Sequence, residues 1–437
     1  MAINKELALR SIFSISNNLL NVVLRFLSFF VLIRALPKDE FGIWVLFLVV
    51  VAIVEVVRNG FIKNAVVKYI ASSSDENHKS IQSASLLLNF SISFVSVGVL
   101  ILISTYLSNF WNAPQLKSMF TWYSLTAFFL VFFSHLEFIG AAVNKFRNIL
   151  QINLIRNFSF LLFVSLSYFF GRKIELQHLV VFQAISVFIG LIAGLIIMRQ
   201  IINLHTKISN YWVKKLFHFG KYVVGTNLGT VIFTSTDQIM LGAILNTESV
   251  AIYNTAIRIN NLIDAPVMGI SNVFYTHSSE KGESSFTTVY VSSVGAILSI
   301  IVPLLIFIYI FSGQIIYIVA GSNYSDSANI LRVTMLYTFF IPFVRQFGTL
   351  SDSIGKPQIN LILTIFASLI NIFFSYIAVT KFGVIGAAYG TLTTYIVNFT
   401  IVLIYLKRTY NLILTDILKA FVGNYFRIYQ FLIKRNS

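Results

Sequence analysis

Cysteine is absent from the 437 residues, which excludes disulfides, thiolate zinc sites, CxxC redox chemistry and a cysteine nucleophile. Charge is also scarce, at 11% of the chain against about 25% in an ordinary soluble domain. Acids are outnumbered two to one, 16 against 32 Lys and Arg. Only six histidines occur, none at metal-ligand spacing to another. No glycine-rich phosphate cradle is present, so the chain is not expected to hydrolyse ATP itself. No catalytic residue, metal site or cofactor is expected from this inventory.

What remains is apolar. The chain is 57% hydrophobic with a mean hydropathy of +0.81, the composition of a polytopic membrane protein. The first apolar run shows neither a compact hydrophobic core nor a small-residue cleavage site, and it is long enough to span, so it reads as a retained helix. Runs of spanning length, about twenty residues each, recur along the chain. The expected spans are 11–33, 41–61, 81–106, 119–141, 152–170, 179–198, 219–241, 250–275, 287–311, 330–350, 359–379 and 385–406. The expected fold is therefore an all-α polytopic membrane protein of twelve transmembrane helices.

Lys and Arg alternate between the loops. With the N-terminus placed inside, the inner segments hold 21 of them and the outer loops six, a bias that puts both termini in the cytoplasm. The five others, Arg25, Arg156, Arg258, Arg332 and Arg345, lie within or at the edges of the spans. The net charge of +16 follows from basic loops facing anionic headgroups. The basic residues are spread over short loops and no recognisable module follows the last span, so nucleic-acid binding is not expected. The tail, 409–437, mixes apolar residues with Lys419, Arg427, Lys434 and Arg435 and reads as a basic amphipathic cytoplasmic helix at the interface.

A shift of 209 residues sets ALPKDEFGIW (Ala35 to Trp44) against ILNTESVAIY (Ile244 to Tyr253), with Glu55 falling on Asp264. Six spans per half give two lobes in one orientation, as in transporters built from parallel repeats. The expected organisation is an N-lobe over 1–205 and a C-lobe over 206–408, related by a pseudo-twofold axis. The basic stretch from Asn203 to Lys215 is the junction.

Four segments carry a family resemblance: LIRALPKDEFGIW after the first span, TDQIMLGAILNTESVAIYNTAIRI (Thr236 to Ile259), SIGKPQ (Ser353 to Gln358) and KFGVIGAAYGTLTTYIVNFTIVLIYLKR (Lys381 to Arg408). In order and spacing they resemble the polysaccharide-transport, O-antigen flippase type of the multidrug/oligosaccharidyl-lipid/polysaccharide exporter superfamily. The resemblance implies a flippase that moves an undecaprenyl-diphosphate-linked oligosaccharide from the inner to the outer leaflet of the bacterial inner membrane by alternating access. It implies a cationic cavity between lobes, a monomer in the bilayer, and the glycan polymerase machinery as a further partner. Physical chemistry is compatible with such a cargo, because a diphosphate needs multidentate cations and arginine supplies a planar donor fork.

Four arginines are candidates for that cavity: Arg25, Arg258, Arg345 and Arg58. Arg25 interrupts NVVLRFLSFFVLI, and a charge at the centre of a membrane helix costs at least about 2.5 to 3.5 kcal/mol on insertion scales, so it asks for a partner or a polar cavity. Pairing with Asp237 is its structural alternative. Arg258 falls about 12 Å along its helix from Val250, near mid-membrane. Arg345 lies toward the cytoplasmic side on a helix weakened at Pro342, where snorkelling competes with cargo contact. Arg58 follows Glu55 by three residues, the spacing of an intrahelical ion pair. Arg332 reads as an anchor at an outer helix end.

Glu55, Asp237 and Asp264 are candidates for proton or sodium coupling, or for neutralising the arginines. Pro266 predicts a kink in a gate helix, since proline removes a backbone hydrogen bond. His135 and Glu137 are two residues apart and so diverge on a helix, which weakens any hydrolytic reading. Two other functions compete with the flippase. A cation-coupled drug or metabolite antiporter of the same superfamily would want an acidic cavity, and a membrane glycan polymerase or acyltransferase would want a long outer loop or a histidine constellation.

Overall fold

The computed structural model describes residues 5–202, 208–281 and 286–436, and among them every regular element is helical. The helices are α1 (Lys5–Ala35), α2 (Lys38–Ser72), α3 (Asp75–Phe110), α4 (Gln115–Ala142), α5 (Phe146–Phe169), α6 (Leu176–Ile197), α7 (Asn210–Ile244), α8 (Thr247–Lys281), α9 (Phe286–Ile310), α10 (Ser312–Ala320), α11 (Ser327–Thr338), α12 (Ile341–Ser353), α13 (Pro357–Phe382), α14 (Val384–Tyr410) and α15 (Leu414–Asn436). Among the described residues nine are long and apolar enough to cross a bilayer, ten if α11 and α12 together make one span. The span expected over 330–350 is broken: α11 and α12 meet at a bend of 44°. Pro342 stands in the first turn of α12, where its missing N–H costs nothing but where it cannot continue the helix before it.

Two compact units result. One runs through Ser235 and takes in Asn246–Ala251; the other comprises Thr236–Leu245 and the chain from Ile252 onward. Between membrane helices apolar burial supplies little drive, so close backbone packing through small residues carries the association. In the first unit a Cβ at Gly220 would stand 2.2 Å from the Phe61 carbonyl oxygen, and one at Gly60 would stand 2.9 Å from Val224. The first third of α7 is thereby pressed onto α2, and Trp212 and Leu216 join Ile62, Val66, Ile81 and Ile139 in one core. At the far end of α2, Gly42 lies against the backbone of Thr247. In the second unit α13 runs along α14 through Gly386 and Gly390, whose absent Cβ atoms would meet the Ala378 carbonyl and Ser375. The turn between them uses Gly383 at φ 66°, a conformation that disfavours any side chain.

The tail forms a helix that packs on its own unit. α15 packs lengthwise on α9, with a Cβ at Gly295 only 3.0 Å from Ala420. The Ser299 hydroxyl donates to the Phe421 carbonyl (3.3 Å), and Tyr425 donates to the Ser299 carbonyl (2.7 Å). Phe286, opening α9, stacks on Tyr410, closing α14, with centroids 4.5 Å apart. One face of α15, small and hydrogen-bonding, matches Gly295 and Ser299.

Gly295→Ile is expected to overpack this seam by about 1–3 kcal/mol and to release α15. Limited trypsinolysis should then cut within α15 before any other described segment; unchanged protection would show that the seam does not hold the tail.

Candidate functional site

α2 organises the first unit. Ala52, Glu55, Val56, Asn59, Gly60, Lys63 and Asn64 recur at helical spacing on one face, and with Asn227 of α7 they line a cleft of about 400 Å³. Asn59 Oδ1 is buried there with no partner among the described residues. Glu55, 20% exposed by its side chain, is the acid of the cleft. Behind it stands Arg58, 1% exposed, which forms the intrahelical ion pair expected from the three-residue spacing. Its Nη1 also reaches Asn89 Oδ1 of α3 (3.0 Å), the Leu130 carbonyl (3.3 Å) and the Ser134 hydroxyl of α4. Tyr123 donates to Glu55 Oε1 (2.7 Å). Every nitrogen of the guanidinium is engaged and the side chain has no open face. Arg58 therefore holds Glu55, the intrahelical alternative its spacing offered, and ties three helices together.

The second unit treats its buried acid differently. Asp237, on α7, accepts hydroxyl bonds from Tyr253 of α8, from Ser375 of α13 (2.8 Å) and from Thr391 of α14 (2.6 Å). Asn371 donates to the Thr391 hydroxyl (3.1 Å), while its own Oδ1 is buried without a partner among the described residues. Four helices thus converge on one carboxylate, and they can do so because Gly390 lets Ser375 pass at a distance no side chain would allow. With both oxygens satisfied by hydroxyls, Asp237 needs no arginine to be accommodated.

The remaining arginines are less enclosed. Arg25 of α1 is exposed and Arg258 of α8 is half-buried, the latter donating from Nε to Asn254 on its own helix (3.3 Å). Arg345 is half-buried on α12. Arg332 donates to Ser312 (2.9 Å) and Asn329 (3.2 Å) near the start of α11. The side chains of Asp264 and Pro266 lie outside the described residues. His135 and Glu137 diverge as their spacing requires: the imidazole faces Ser85 on α3 (3.4 Å), whereas Glu137 accepts from Asn153 of α5 (2.7 Å).

Sequence reading missed the groups that make the acids tolerable: Tyr123, Asn89 and Ser134 around Glu55, and Tyr253, Ser375, Thr391 and Asn371 around Asp237. The available signal was polarity inside spans, since an amide or hydroxyl in a hydrophobic run wants an interhelical partner. It also passed over Arg156, whose guanidinium lies over Phe133 at 4.8 Å and whose stem packs where Gly190 has no side chain.

A family model described as polysaccharide biosynthesis protein matches residues 31–329. The chain is 22% identical over 386 residues to an uncharacterized membrane protein of Methanocaldococcus jannaschii, covering 83% of this chain and 76% of that one. It is 22% identical over 189 residues to a probable low-salt glycan biosynthesis flippase of Haloferax volcanii, 42% of this chain and 40% of the relative. Among solved structures it resembles the lipid II flippase MurJ in an inward closed conformation, with a TM-score of 0.76 at 17% identity over 98% of this chain and 92% of that one. At that identity the likeness establishes the fold.

Removing one partner of a buried ion pair costs about 3–5 kcal/mol because the other charge is left uncompensated. Arg58→Met should therefore lower thermal stability sharply, and Glu55→Gln added to it should restore most of the loss. A double variant no better than Arg58→Met would show that the pair is not the binding element.

Proposed function

This chain belongs to the family described as polysaccharide biosynthesis protein, and from that premise we propose that it is a transporter and not an enzyme, a flippase for a lipid-linked oligosaccharide. The cargo is an undecaprenyl-diphosphate oligosaccharide, turned from the inner to the outer leaflet of a bacterial cytoplasmic membrane. The nine apolar helices, the bent α11 and α12 pair, α7 and α8 make twelve spans in this reading. They divide into two six-helix lobes that alternate access, with the N-terminus cytoplasmic according to the loop charges.

The observation that carries the proposal is Arg25, exposed within the apolar stretch of a membrane helix. A guanidinium within a membrane helix faces a polar surface and not hydrocarbon, and a diphosphate passing along the helix would give it two anionic groups to fork. Arg258 and Arg345 are further prongs. Such a set argues against the cationic-drug antiporter, whose cavity would be acidic.

Coupling falls to the acids. Asp237, three hydroxyl oxygens and the amide oxygen of Asn371 are hard oxygen donors, the kind that suit a proton or a small cation such as sodium. One charge moving down the membrane potential supplies about 2.3 kcal/mol per 100 mV. Asp264 and the cleft acid Glu55 are the other candidates for this role, and Pro266 for a gate kink in α8.

Replacing Arg25 or Arg258 by Ala should abolish glycan export while the protein still accumulates in the membrane; full export by both variants would overturn the cationic-site proposal. In vesicles carrying the purified chain, flipping should fail when one gradient, of protons or of sodium, is collapsed, and Asp237→Asn should make the residual rate indifferent to both. Wild-type flipping that ignores both gradients would reject ion coupling.

A further inference from the structure

α1 has two faces that a single lipid environment does not explain. Leu19, Val23 and Leu27 recur every four residues and are 52%, 43% and 42% exposed, a stripe suited to acyl chains. Asn17, Asn18, Asn21, Arg25 and Ser28 fall within an arc of about 100° on the opposite side, at 100° of turn per residue. Asn18 is as open as Arg25, and Asn17 and Asn21 are half-buried. An amide left in hydrocarbon without a partner costs several kcal/mol on transfer scales, so this side has a polar occupant or a polar wall.

The wall is partly visible. Asn157 of α5 donates to Asn21 Oδ1, and Asn21 donates to Asn17 Oδ1 (3.2 Å), an amide relay across two helices of the same unit. Its ends present opposite chemistry, an amide N–H at Asn17 and an amide oxygen at Asn157. A side-chain amide offers two donors and an acceptor, and a hydroxyl is donor and acceptor at once. The natural complement of such a row is a surface dense in hydroxyls. Neither a phosphate, which only accepts, nor an acyl chain, which does neither, uses both ends.

We propose that this asparagine row is a saccharide subsite, the place where the sugars adjoining the diphosphate rest while Arg25 holds the phosphates. The inference depends on the flippase reading and deepens it. Asn17 stands about 12 Å along the axis from Arg25, toward the N-terminal end of α1. That distance leaves room for the sugar rings nearest the phosphate, and it orients the cargo with its glycan toward the N-terminal end of the helix. Discrimination between a bare and a glycosylated carrier then resides on α1, and not at the arginines, which see the same diphosphate in both.

The test uses the full chain in lipid nanodiscs and two probes, a polyprenyl diphosphate without sugar and one carrying a disaccharide. The wild type should bind the disaccharide probe at least about tenfold tighter, roughly 1.4 kcal/mol. Asn18→Ala, at an exposed position, should erase most of that margin, and Asn17→Ala with Asn21→Ala should erase the rest. Both leave affinity for the bare probe unchanged, since alanine is the better helix former. Arg25→Ala should weaken both probes alike. Equal wild-type affinity for the two probes, or equal loss of both in Asn18→Ala, overturns the saccharide subsite and leaves the flippase reading standing. Failure of the wild type to bind either probe sinks the flippase reading itself.

Discussion

A polar group inside a membrane-spanning helix has no water to fall back on, and most of this protein's specific architecture answers that one constraint. The two described buried acids answer it in different ways. Glu55 is held by a guanidinium that is itself pinned by an amide, a hydroxyl and a carbonyl from two other helices. Asp237 is held by hydroxyls alone, drawn from three helices besides its own. In the first arrangement charge is cancelled; in the second it is only solvated. In the proposed coupling, a carboxylate that is solvated but not cancelled can take a proton or a cation with nothing positive having to leave first.

Glycine makes both arrangements possible. Helices that associate by close backbone contact need small residues where they cross, and the crossings here sit beside the chemistry. Gly60 and Gly220 bring α7 onto the cleft face of α2, Gly190 makes room for the Arg156 stem, and Gly390 admits Ser375 to Asp237. Packing and function share these positions, so a methyl group added at Gly390 would act on the acid without touching it.

The arginines then separate by role. Arg58 is engaged through every guanidinium nitrogen within its own unit. Arg25 is exposed opposite an apolar stripe and beside a row of amides. Arg258 is intermediate, half-buried with a bond to Asn254 on its own helix. In the proposed cycle the first contributes rigidity, the second meets the phosphates, and the asparagines beside it read the sugar.

Composition and hydropathy determined the all-helical membrane class, because an apolar run of about twenty residues satisfies its backbone hydrogen bonds across a bilayer within itself only as a helix, and the order of four short segments pointed to the family. Arg25 and the Glu55–Arg58 spacing were legible for the same reason: a charge in an apolar run, and a salt bridge three residues apart, are local. The partners of Asp237 were not, since Tyr253, Ser375 and Thr391 lie 16, 138 and 154 residues away and only helix packing brings them together. The docking of α15 was not legible either, because Gly295 and Ser299, which accept it, carry no signature of their own. Sequence decides which groups must be satisfied; tertiary structure decides by whom, because the partners come from helices far apart in the chain.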